Sequence, residues 1–170
     1  MKLSDYITKK AALAAKTGEV QADDYVLAVD CATGEVPAEV GDYEVAAVHV
    51  ENTGATISAN TTDKNYLYEG ATTLRSGARR NFSVAGQRFA GDGYQDYVCS
   101  HAVAFGVGAA VVRPYVYLNM ATLKGERGNV TINVTNDGSG ASGNMADFAV
   151  TMVSVGTPAE YAYSPISPAT

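Results

Sequence analysis

The chain has no tryptophan, two cysteines, two histidines and five prolines in 170 residues, and leucine is sparse. Each shortage excludes something. Cys31 and Cys99 lie far apart without metal-ligand spacing, so free thiols are expected, although sequence alone leaves a disulfide between them open. The longest apolar stretch, around VAFGVGAAVV, is about half the ~20 residues of a membrane helix, so no membrane partner is expected. The start, MKLSDYITKKAALAAKTGE, mixes charge with alanine and lacks the apolar core of a secretory signal, which predicts synthesis in a cytoplasm. Basic residues are outnumbered, 12 to 18, and an acidic balance is poorly suited to gripping phosphates. What is abundant points elsewhere. Seventeen glycines, eleven tyrosines and many valines and threonines favour strands and turns over helix bundles.

The charge is segregated. Residues 17–63 carry ten acids and no Lys or Arg, whereas residues 64–88 carry five basic residues against Glu69 alone. Folding could mix these blocks on the surface. Alternatively, one acidic and one basic face would suit copies meeting head to tail.

Periodicity gives the elements. Residues 4–16 predict a short amphipathic helix with Ser4 as N-cap and Gly18 as its stop, a mobile arm until it meets a neighbour. Strand patterns run over 25–30, 43–52 and 54–62. Residues 63–78, DKNYLYEGATTLRSGA, have no clean period and read as a long excursion whose Tyr66, Leu67 and Tyr68 call for burial against something. RRNFSVAGQRF, from Arg79, alternates like a strand. Asp92 then caps a helix over 93–105 with Gln95 as capping-box partner, and its apolar stripe includes Tyr94, Val98, His101 and Phe105. Strands follow at 110–119, 129–136 and 147–155, with a flexible loop in DGSGASGN and an extended C-terminal arm over 156–170. The expected fold is mainly β: an antiparallel β-sandwich or barrel flanked by one α-helix. It forms a single domain with an N-terminal arm (1–20), a body (21–155) and a C-terminal arm.

Chemistry is thin. His49 sits in a strand pattern and His101 on an apolar stripe, so core or boundary imidazoles are expected. GSGASG lacks the spacing of a nucleophile elbow, GVGAA follows a helix, and no calcium loop is present. The Cys99–His101 spacing puts thiol and imidazole on different helix faces. The sequons at Asn60, Asn81, Asn129 and Asn133 read as ordinary strand and turn usage. No enzyme, cofactor or metal is expected.

The stretch NTTDKNYLYEGATTLRSGARRNFSVAGQRFAGDGYQDYV resembles the major tail tube proteins of long-tailed bacteriophages, best over residues 50–105. The Gly91-Asp92 turn and the Gln95-Asp96 pair carry the likeness. The resemblance implies six-membered rings stacked into a tube through loops and arms. It further implies a tape-measure protein and transiting DNA in the lumen, terminator and distal tail proteins at the ends, and a place in the virion tail. It also implies an acidic lumen, with Asp42, Glu44, Glu51 and Asp63 as candidates, while Arg75, Arg79, Arg80, Arg88, Tyr66 and Tyr68 are candidates for subunit contacts. Acids at the interfaces and a mixed lumen form the competing placement. Tubes of contractile injection machines are the neighbouring reading, and a carbohydrate-binding adhesion module is the alternative from another class.

Overall fold

A computed structural model describes residues 1–10, 18–33 and 38–164. The elements are α1 (Leu3–Lys9), β1 (Tyr25–Val29), β2 (Glu44–Val45), β3 (Val50–Tyr66), β4 (Gly70–Gln87), α2 (Gly93–Val98), α3 (His101–Ala104), β5 (Val112–Asn119), β6 (Lys124–Ser139) and β7 (Asp147–Ala162). All seven strands join one antiparallel sheet in the order β2-β1-β5-β6-β7-β4-β3.

This sheet curls over its own core. Leu27 and Val29 of β1 belong to the same buried cluster as Phe82 and Val84 of β4, four places away in strand order. The bend is built into β6 and β7. Their first-to-last pairing is continuous but broken by register shifts at Arg127/Asn129, Val134/Asn136 and Asp137/Ser139, and a bulge kinks a strand and tightens its twist. β5 pairs with β6 only up to Thr131, whereas β4 pairs with β7 only from Asp147 to Val153. The molecule therefore has two layers that share β6 and β7. One holds β2, β1 and β5; the other holds β4 and β3. Tyr94, Val98 and Val103 of the helices fill the core between them.

β1 is buried on both faces. Val26 and Ala28 pack in a second cluster with Leu3, Tyr43, Val45, Val116, Leu118 and Met120, with Tyr6, Ile7, Tyr161 and Tyr163 against its rim. This explains the near-continuous apolar run YVLAV, which has no polar face to alternate.

Several expectations are corrected. The N-terminal segment over residues 1–10 is docked, with Leu3 fully buried; its helix starts at Leu3 after Lys2, and Ser4 is not the cap. Residues 11–17 of the expected helix lie outside the described residues. The 43–52 strand is broken. β2 is two residues long, and a turn follows in which His49 takes φ 52, before β3 starts at Val50. Gly86 lies beneath that turn, where a side-chain carbon would stand 2.2 Å from the His49 carbonyl oxygen. The excursion over 63–78 is strand on both sides of a turn at 67–69. The helix over 93–105 is two short ones, because Ser100 takes extended angles (φ −66, ψ 149) and restarts the chain. Asp92 does cap, accepting from the Gln95 N–H at 3.2 Å, but the Gln95 side chain turns away to the Val48 carbonyl and the Phe89 N–H. His101 is exposed and stacks on Phe105, itself exposed, so the stripe does not extend to them. The described part of the expected C-terminal arm is mostly strand, since β7 runs to Ala162 and Tyr163 packs beside α1; residues 165–170 lie outside the described residues. Cys31 and Cys99 are free thiols.

Candidate assembly site

The mainly antiparallel β architecture leaves one element without a partner. β3 and β4 form a hairpin whose register runs from Val50↔Gly86 to Tyr66↔Gly70, but β7 supports β4 only up to Asn81. Beyond that point the hairpin is a two-stranded arm. From Ser58 to Tyr66 it extends roughly 25–30 Å at about 3.3 Å per residue. Gly70 takes φ 77, the left-handed conformation that closes a three-residue hairpin loop. The loop residues are bare: Leu67 is 90% and Tyr68 95% exposed. Ile57, Tyr66 and Leu74 are also exposed along the arm. A two-stranded hairpin is marginal in water unless something covers a face. This one shows apolar side chains to solvent on both faces, because Ile57 opposes Arg80 whereas Leu74 opposes Thr62, one register parity apart.

The sheet also has open edges. β3 is the terminal strand along all its 17 residues, and no described strand pairs with β6 beyond Thr131 on the side away from β7. Unpaired edge N–H and C=O groups are a template for another strand.

The six proposed contact residues divide into two sets. Tyr66, Tyr68, Arg75 and Arg79 lie on the arm or at its root and are exposed. Arg80 and Arg88 have partners within the chain. Arg80 makes a two-pronged ion pair with Glu126 (Nε–Oε1 2.7 Å, Nη2–Oε2 2.9 Å), and the Tyr115 hydroxyl donates to the same carboxylate at 3.0 Å. The guanidinium lies over the rings of Phe82 and Tyr117, and the hydrogen bonds to Glu126 raise its pKa. This pair ties the root of the arm to β6 across the curl of the sheet. Arg88 donates to Asp96 at 2.6 Å and holds that carboxyl below its usual range, locking the Gly91-Asp92 turn onto β4. The Gly91 N–H donates to Asp96 at 2.9 Å.

The acids are equally divided. Asp42 pairs with Lys2 at 2.7 Å, and Glu44 pairs with the Met1 ammonium at 2.5 Å, with Asp92 at 3.3 Å from the same nitrogen. Both therefore fasten the N-terminal segment to the body. Asp63 is on the arm and accepts from Thr73 at 2.7 Å, while Glu51 is exposed in the register shift that opens β3. Glu126, the acid that matters most to Arg80, is 46 residues away in sequence and gives no local signal. No cluster of three His, Cys, Asp or Glu suited to a metal occurs among the described residues, and no described helix is long and apolar enough to cross a membrane.

No family model and no curated protein matches this sequence. Solved structures do match in fold. A chain in the tail of an empty gene transfer agent particle, refined helically with C6 symmetry, is 19% identical with a TM-score of 0.58. The match covers 85% of this chain and 100% of that one. A chain in the virion of a native gene transfer agent particle is 18% identical with a TM-score of 0.59, at the same coverage. The sheath/tube terminator assembly of an extracellular contractile injection system contains a chain 12% identical, TM-score 0.50, covering 87% and 100%. At these identities the likeness is one of fold. The chain has the antiparallel β fold found in virion tails, shared with gene transfer agent tail structures.

Proposed function

We propose that this chain is a structural, non-enzymatic subunit of a virion tail tube, assembled from identical copies and serving as the conduit for DNA. The observation that carries the reading is the bare arm together with the two open sheet edges, on a fold similar to that of a tail solved with C6 symmetry. The β3 edge of one copy adds to the β6 edge of the next, so that backbone hydrogen bonds close a ring of six. Rings stack as each arm inserts Tyr66, Leu67 and Tyr68 into a neighbouring ring, and Arg75 and Arg79 meet acids there. Many copies multiply a weak contact. The tape-measure protein and later DNA occupy the channel, terminator and distal tail proteins cap the ends, and subunits are made in the host cytoplasm.

Light scattering and negative-stain microscopy test this. The wild-type chain is expected to give rings or tubes. L67S/Y68S is expected to stop stacking while keeping the monomer's thermal midpoint, because these side chains bury nothing within the chain. A wild-type protein that stays monomeric at high concentration, or tubes from L67S/Y68S as abundant as wild type, would refute the reading.

A further inference from the structure

An apolar ridge and an aromatic crevice lie beside the two open sheet edges. The ridge follows α3. Phe105 is 74% and Val107 82% exposed, although Val103, two residues before, is buried in the core. Two glycines fix its shape. At Gly106 a side-chain carbon would stand 2.3 Å from the Ala102 carbonyl oxygen, and Gly108 takes φ 62. His101 stacks on the Phe105 ring with centroids 4.8 Å apart. Apolar groups held out together in this way mark a contact surface.

The crevice, of about 200 Å³, opens between β1 and the start of β3, and its lining includes Tyr6, Asp23, Tyr25, Val50, Glu51 and Thr53. It lies on the core side of β3, because Thr53 registers with the buried Val84. Tyr25 is the open end of a ladder of rings. Phe82 meets Tyr117 at a centroid distance of 5.2 Å, and Tyr117 stacks on Tyr25 at 5.3 Å. Tyr25 is 39% exposed, so a further ring can extend the ladder.

The strand registers put the two at one level. Thr53 pairs with Val84, Val84 with Val150, and Val150 with Val134. The ridge runs along that part of β6: α3 packs on β6, and Val112, just past the ridge, pairs with Thr131. Ridge and crevice are also on the core side of their strands. The three pairings that lead from β3 to β6 are all antiparallel. In a ring whose strands run near its axis, β3 of one copy therefore meets β6 of the next antiparallel, core side beside core side. We infer that the Phe105–Val107 ridge of one copy seats in the Tyr25 crevice of the next. Phe105 extends the Tyr25 ladder, and the His101 imidazole donates to Glu51 or Asp23 at the rim. Unlike surfaces joined head to tail close into a ring when the rotation between copies closes. This rests on the ring reading and names its contact.

The test uses F105D, with V107D as a second ridge variant, and T53W, which fills the crevice. All three positions are exposed, so the dissociated subunits should keep the wild-type thermal midpoint. Each variant alone should need at least roughly tenfold more protein than wild type to form rings. An equimolar mixture of F105D and T53W keeps one intact crevice and one intact ridge. Chemical cross-linking of that mixture should give heterodimer at least roughly tenfold in excess of either homodimer, whereas a mixture of F105D with V107D should give no such excess. Rings from F105D and V107D at wild-type concentrations overturn the inference while leaving the tube reading standing. So does an F105D and T53W mixture without excess heterodimer. Failure of wild-type protein to form rings overturns both.

Discussion

Replacing Arg80 by methionine separates an internal role from an intersubunit one. Methionine keeps most of the stem against Phe82 and Tyr117 but removes both ion-pair hydrogen bonds, leaving Glu126 with the Tyr115 hydroxyl alone. Breaking a fully buried pair costs about 3–5 kcal/mol, and an exposed one about 0–1. Here the side chains are 18% and 19% exposed, and part of the charge can reach water. The cost should fall between these limits, about 2–3 kcal/mol. For a domain of this size that lowers the thermal midpoint by roughly 5–10 °C. Urea and thermal unfolding of subunits kept dilute enough to remain dissociated would measure it, because assembly itself raises apparent stability. Combining R80M with E126Q should recover roughly 1–2 kcal/mol relative to the sum of the single effects. If R80M left the dissociated subunit's midpoint unchanged but abolished tubes, Arg80 would act between copies and the reasoning would fail.

The Tyr94 hydroxyl is fully buried and has no hydrogen-bond partner among the described residues, so Y94F should be neutral or stabilising by up to about 1 kcal/mol. Loss of more than that in urea titration would mean that the hydroxyl is satisfied after all. The Met1 ammonium is partly desolvated, which lowers its pKa, but the hydrogen bond and charge of Glu44, with Asp92, outweigh this and raise it above 8.0. A raised ammonium pKa stabilises fully below the unfolded value and is lost as pH rises through the folded one. The thermal midpoint should therefore fall across the mildly alkaline range, and a chain acetylated at Met1 should start lower and lose that part of the slope. Equal slopes in the two proteins would contradict the pairing.

Burial on one face is what made parts of the fold legible. Phe82 and Val84, Val130 and Ile132, and Phe148, Val150 and Met152 alternate with small or polar residues because one side of each strand meets the core. The arm offered no such signal. With solvent on both sides, nothing selects a period, and the register shift at Asn60/Thr61 breaks what remains. A hairpin therefore read as a loop. The helix over 93–105 was misread for the opposite reason: an i, i+3, i+4 stripe continues across Ser100 whether or not the backbone does. The capping aspartate at 92 was readable because a cap is local. The partners of Arg80, Glu44 and Asp42 were not, since each joins residues at least 40 apart. The charged contact and lumen candidates follow the charge blocks, and four of those eight, Arg80, Arg88, Asp42 and Glu44, form ion pairs inside the chain.

The unreadable arm and the need for a partner have one physical cause. A strand that buries a face within its own chain acquires a period and its stability together. Residues 58–79 have neither, although they hold Leu67, Tyr68 and Leu74 and pair with each other on either side of the turn at 67–69. Natural proteins usually blunt such an edge with short strands, lysines or prolines. β3 is 17 residues long, contains no proline and has a single lysine, Lys64. A monomer built this way would carry an aggregation hazard at every encounter. The hazard becomes useful only if the encounter is the intended one, in which the same backbone groups and apolar side chains find an ordered neighbour. On that argument the core from β1 to β7 makes the chain fold, and in the proposed tube the edge and arm would hold stability in reserve until copies meet.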